Sequence, residues 1–127
     1  KQLYIAAPEW VEHTGVITLD PAVEAAQKRF FDTFKAANEK PDIAATLAWD
    51  PVMIVMDALR HLGVNATAQQ LRDYIGSLKG FAGINGIYDF TKVPQRGLDV
   101  QAAIVTRWSP TAQTWQLMSK PTGIPLD

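Results

Sequence analysis

An α/β fold is predicted by three observations. Near the start, Leu3 to Ala7 form a short, unbroken apolar run closed by Pro8, the pattern of a strand covered on both faces. Three segments with apolar residues at helical spacing follow, each with its own start and stop signals. Beyond them the texture changes to short runs of β-branched and aromatic residues, split by Gly, Pro and Ser.

Composition bounds the rest. The chain has 127 residues, 47% hydrophobic and 20% charged, the profile of one compact soluble domain. Its 12 basic residues against 13 acids give a net charge of -1, and no window concentrates one sign, so neither a nucleic-acid partner nor an anionic membrane patch is expected. The absence of cysteine excludes thiol catalysis, disulfides and thiolate metal sites. The first residue is Lys1, and Leu3 to Ala7 is too short for a signal h-region or a membrane span, so an upstream segment is expected to have been removed.

The elements follow in order. Residues 9–19, broken by Gly15, predict a long, partly exposed connection after the first strand. Asp20 before Pro21 is a helix start, because the carboxylate accepts from orphan amides and proline needs no donor at the first helical position. Val23, Ala26, Phe30, Phe34 and Ala37 then form an apolar stripe to about Asn38. Asp50 and Pro51 repeat the start signal, with Val52, Val55, Met56, Leu59 and Leu62 as the next stripe and Gly63 as its stop. Pro41 and Asp42 offer a rival start, in which Pro51 kinks a longer helix; proline serves both roles, so both starts stand. Thr67 with Gln70 is a capping-box pair opening a third helix, with Leu71, Tyr74, Ile75 and Leu78 as its buried face and an end near Gly80. Strands are predicted at Ile87 to Phe90, Val100 to Trp108 and Trp115 to Met118, the last two as a hairpin around Ser109 and Pro110. Three amphipathic helices need more sheet than this, so part of the fold is expected to be missing or supplied by another chain.

Three stretches in this order carry a resemblance: the strand ending AAPEW, the helix pair PAVEAAQKRFFDTFKAANEKPDIAATLAWDPVMIVMDALRHLG, and LRDYIGSLKGFAGINGIYDF followed by VQAAIVTRW. Trp49, Asp50, Val52, Ala58, Leu59 and Gly63 occupy the places of an aromatic-Asp, apolar, Ala-Leu and Gly pattern. Phe81, Gly83, Gly86, Asp89 and Phe90 match a Phe, Gly-x-x-Gly turn and aromatic strand, with Asp and Phe in reversed order. The chain in this respect resembles the C-terminal part of the type I periplasmic solute-binding proteins of ABC importers, the branched-chain amino-acid-binding or extracellular ligand-binding receptor family. The resemblance implies a fragment of that fold, three helices packed on a partial sheet, without the N-terminal lobe segment and most of the second lobe. It implies a hinge strand at residues 1–8, the C-terminal portion of the first lobe at 9–99, and a later hinge strand with a terminal hairpin at 100–127.

It also implies a function: binding of a small amino acid or an aromatic or other carboxylate solute between two closing lobes, outside the cytoplasm, for delivery to a membrane permease. Trp49 would line the cleft, against a simple core role beneath its helix. Asp50 would reach a cationic group on the solute, although capping the helix at Pro51 suffices to explain it. Trp10 and Glu9 follow a strand end, where open α/β sheets place ligands, against an ordinary surface loop. His13 and His61 lack ligand-spaced neighbours, and Met53 and Met56 read as core filler. Gly83 and Gly86 make a turn without the context of a dinucleotide fingerprint. No catalytic residue, metal ligand or cofactor is expected: Ser77, Ser109 and Ser119 have no nucleophile-elbow context. Two other readings remain, a ligand-sensing regulatory domain of the same fold and a small α/β enzyme using Glu9, Asp50 and His13. Uncovered apolar stripes and strand edges further predict that the chain associates with itself as a homo-oligomer.

Overall fold

The computed structural model describes residues 2–8 and 18–126, leaving aside the side chains of Pro8 and Ile43. Strand β1 spans Tyr4–Pro8; helices α1, α2 and α3 span Pro21–Ala36, Ile43–Leu62 and Ala68–Ser77; β2 and β3 span Lys79–Gly83 and Gly86–Asp89; β4 and β5 span Ala103–Ser109 and Thr114–Leu117. Short 3-10 turns lie at Val100–Ala102 and Pro121–Gly123. The class is mixed α/β, with two small antiparallel sheets.

The helix ends follow their sequence signals. Asp20 accepts from the Ala22 amide at 2.8 Å, with Pro21 at the first position. At the far end of α1, Asn38 takes a left-handed φ of 56°, and the amides of Asn38 and Glu39 turn back to the carbonyls of Lys35 and Phe34. This closure satisfies two orphan carbonyls. Thr67 and Gln70 form the predicted capping box of α3 in both directions.

Helix α2 takes the rival start. Its N-cap is Asp42, whose side chain accepts from the Ala45 amide at 2.8 Å, and Pro51 lies inside the helix. Asp50 is therefore not a cap, and Pro51 removes the amide that would have reached the Leu47 carbonyl. The stripe of α2 is corrected too. Buried residues recur at Thr46, Asp50, Ile54 and Ala58, whereas Val52, Val55, Met56 and Leu62 are exposed, Val52 at 57%. The helix is apolar nearly all round, so periodicity alone could not choose its inner face. Met56 is exposed and Met53 half-buried, so neither is core filler.

One sheet has the order β1-β4-β5, all antiparallel, with Tyr4 opposite Arg107 and Ala7 opposite Ile104. β4 and β5 form the predicted hairpin, pairing Trp108 with Trp115 in edge-to-face contact. β1 is thus an edge strand, with Leu3 and Tyr4 exposed and Ala7 buried, and it is not covered on both faces. The predicted strand start at Val100 is a 3-10 turn capped by Asp99. The second sheet is the β2–β3 hairpin; β2 falls where the sequence suggested only the end of α3 and a turn.

Among the described residues the core shows two clusters. Ala26 and Phe30 of α1 pack on Ile84 of the hairpin turn, joined by Phe34, Ala45 and Trp49. Leu19 and Val23 pack on Leu117 and Leu126 beside the larger sheet. Among the described residues α1 and α2 contact β2, α3 packs on α2, and Val23 near the start of α1 packs beside the three-stranded sheet.

Candidate functional site

Asp50 is the centre of the first region. It is 1% exposed, and both its oxygens face the β2–β3 turn. Oδ1 accepts from the Ile84 amide at 2.8 Å. Oδ2 accepts from the Asn85 amide at 2.9 Å, the Asn85 Nδ2 at 2.8 Å and the Tyr88 hydroxyl at 3.0 Å. The Asn85 amide group also reaches the Thr46 carbonyl one turn earlier in α2, and Gln27 of α1 donates to the Ile84 carbonyl at 3.0 Å. A buried carboxylate is tolerated only when donors replace its lost water, and here four do.

The glycines of the turn answer to the same carboxylate. A side chain at Gly83 would overlap the Asp50 carboxyl group, and Gly86 adopts a φ of 132° with Ala102 close by. The Gly-x-x-Gly spacing and the Trp-Asp pair, read as separate signals in the sequence, are thus two halves of one packed unit. Tyr88 pays for the arrangement in acidity: burial, then the Asp50 charge, pushes its hydroxyl pKa well above the ordinary value.

Beside this unit lies a cavity of about 150 Å3 between α1, α2 and β2. Trp49, Met53 and Phe81 supply its apolar lining, and Arg29, Asp57 and Arg60 charged groups, with Asp50 and Gly83 also bordering it. Trp49 meets Phe30 edge-to-face at 5.1 Å and also lines the cavity. Asp50 borders the cavity while its oxygens are engaged by protein donors. Asp57 accepts from the Tyr74 hydroxyl of α3 at 2.8 Å, and that hydroxyl lies 2.9 Å from His61 Nδ1, which stacks on the Tyr74 ring. Burial, followed by Asp57, raises the Tyr74 pKa.

Trp10, Glu9 and His13 lie outside the described residues, so the structure brings only Trp49 and Asp50 of the predicted site together. Arg29 and Arg60 were not singled out in the sequence; each sits beside a residue of the buried face of its helix, as ordinary surface residues also do. Asn85 and Tyr88 were equally hidden. The available signal was an Asp on the interior of an apolar helix, which demands donors from elsewhere in the fold.

Among the described residues no three His, Asp or Glu side chains gather as a metal would require, and no helix is long and apolar enough to cross a membrane. No family model, no curated protein and no solved structure matches the chain.

Proposed function

We propose that the chain is a solute-binding piece of a type I periplasmic-type binding protein serving an ABC importer, working outside the cytoplasm and handing its solute to a membrane permease. The observation that supports it is the meeting of the two motifs that carry the resemblance. Trp49-Asp50 and the Gly83 to Gly86 turn, 34 residues apart between Asp50 and Ile84, are joined by buried hydrogen bonds beside a cavity that Trp49 lines. The cavity brings Trp49, Met53 and Phe81 together with Arg29, Asp57 and Arg60, and small-molecule sites likewise combine apolar and polar groups. Asp50 acts here as a positioning residue that holds the turn against Trp49. The exposed apolar face of α2 further supports a chain that in the intact protein packs against more of its own lobe.

One wall of a two-lobed cleft gives only part of the contacts, so binding by this chain is expected to be weak. Amide NMR titration with amino acids and aromatic carboxylates tests the reading. Saturable shifts around Trp49 and at residues 83–86 are expected. Absence of any saturable binder among these solutes, or shifts confined to the β1-β4-β5 sheet, would overturn it.

A further inference from the structure

The β2–β3 turn carries a chemistry that a solute cavity does not use. Asn85 is followed by Gly86, and an asparagine before glycine is the pair in which the next backbone nitrogen most readily reaches the side-chain carbonyl carbon, since glycine has no side chain to hinder it. The turn cannot dispense with that glycine. Gly86 holds a φ of 132°, and a Cβ there would stand 3.0 Å from the Ala102 Cβ and 3.4 Å from a Leu98 methyl. Nor can it dispense with Asn85, whose Nδ2 donates to Asp50 Oδ2 at 2.8 Å and to the Thr46 carbonyl at 3.3 Å.

Three features of the folded chain keep the pair from reacting. Asn85 is 5% exposed, so the hydroxide that must take the Gly86 amide proton is kept away. Its side-chain amide is held by two acceptors and its backbone N–H by Asp50, so the side chain is not free to search for the geometry of attack. The negative charge that attack builds on Asn85 Oδ1 would form beside the Asp50 carboxylate, on an oxygen that has no donor among the described residues. All three are lost when the turn lifts off α2.

We propose that the Asn85-Gly86 pair is a site of spontaneous deamidation that the closed turn holds silent and that any opening of the turn releases. The Gly86 nitrogen bonds to the Asn85 Cγ, the Cγ–Nδ2 bond breaks, and ammonia leaves with the proton that the Gly86 amide gives up. Water then opens the resulting succinimide at either carbonyl, leaving an aspartyl or an isoaspartyl residue at position 85. Neither product fits the native turn. The aspartyl form puts a second carboxylate against Asp50 Oδ2 and the Thr46 carbonyl, so acceptors meet where a donor stood. The isoaspartyl form adds a backbone carbon to the two-residue loop between the paired Gly83 and Gly86. The reaction does not reverse, so each opening exposes the chain to permanent loss of the hairpin that borders the Trp49 cavity, whatever that cavity binds.

The test is to age the whole 127-residue chain at mildly alkaline pH, in buffer and in guanidinium chloride above its unfolding transition, and to follow each asparagine by peptide mass spectrometry. Asn38 and Asn65, followed by Glu39 and Ala66, serve as internal references. In denaturant Asn85 is expected to convert at least about tenfold faster than either reference. In buffer it should convert at least about tenfold more slowly than in denaturant. On dilution from denaturant, the fraction that refolds should fall in step with the fraction converted. A second measurement separates added charge from lost hydrogen bonds. Asn85→Ala removes the amide, Asn85→Asp removes it and adds a carboxylate, and the latter should unfold at lower denaturant than the former. If neither variant folds, the refolding yield of the aged parent decides. Equal conversion of Asn85 in buffer and in denaturant, conversion in denaturant no faster than at Asn65, or full refolding despite conversion would each overturn the proposal. So would Asn85→Asp being as stable as Asn85→Ala.

Discussion

The two sheets of this chain are held in opposite ways. The β2–β3 hairpin is small, and its turn is fixed from outside by a buried carboxylate and by Phe30, Phe34 and Trp49. The β1-β4-β5 sheet is larger and is fixed chiefly by its own ladder, with Ile104 and Thr106 of the central strand buried and Tyr4 of the edge strand exposed. A small element can be rigid when a polar centre specifies it, while a larger one stays open where its faces lack cover. The region that bears the candidate site is the one specified by side chains.

The sharpest way to break this contrast is at Asp50. Asp50→Ala leaves the Ile84 and Asn85 amides, the Asn85 side chain and the Tyr88 hydroxyl without their acceptor in a dry interior, and is expected to cost about 3–5 kcal/mol. Urea denaturation measures it. A loss below about 1 kcal/mol would show that water enters and replaces the carboxylate, and that the turn is not specified by it.

A core truncation in the other sheet should cost less. Ile104→Ala removes a side chain that is 1% exposed, for an expected loss of about 2–4 kcal/mol. Hydrogen exchange sharpens the comparison: amides of β1 are expected to exchange faster than those of Ile84 and Asn85, whose acceptor is a buried carboxylate. Slower exchange in β1 would reverse the ranking of the two regions.

Tyr88 gives a pH signature to the hairpin region. Its pKa is raised in the folded chain, by burial first and by Asp50 second, so the unfolded chain loses this proton at lower pH than the folded one. The stabilisation is complete below the ordinary tyrosine pKa of about 10 and is lost as pH rises above it toward the folded value. Tyr88→Phe should cost about 1 kcal/mol at neutral pH, where the hydroxyl's bond to Asp50 is lost, and should flatten the alkaline fall in stability. An unchanged alkaline slope in that variant would assign the titration to another group.

Much of the fold was legible because local rules governed it. The caps at Asp20 and Thr67, the hairpin between Trp108 and Trp115 and the Gly83 to Gly86 turn all rest on short-range chemistry. What the sequence hid was tertiary. Asp50 beside Pro51 mimics a helix start, and only the long-range donors of the turn show why an aspartate sits in mid-helix. The site was half visible for the same reason: Trp49 announces itself by size, whereas Arg29 and Arg60 become notable only when the fold shows them at the same cavity.

The smallest effect on folding is expected on the outer face of α2, and it bears on why its predicted and observed stripes differ. Leu47 is 61% exposed, with Val52, Val55 and Met56 also in water, while the more polar Thr46 and Asp50 are inside. Exposed positions tolerate change, so Leu47→Gln, Val52→Gln and Met56→Gln should each alter stability by no more than about 0.5 kcal/mol. The same substitutions should reduce the self-association expected of the chain, because they remove apolar surface that a second copy would cover. Sedimentation at micromolar concentration, run beside urea denaturation, reads both quantities. A loss of several kcal/mol from a single substitution would mean that this face is the buried one and that the inward register of Thr46, Asp50, Ile54 and Ala58 is wrong. Unchanged stability with unchanged sedimentation would instead place any self-association elsewhere, with β1, an edge strand among the described residues, as the next surface to alter, since its Tyr4 is exposed.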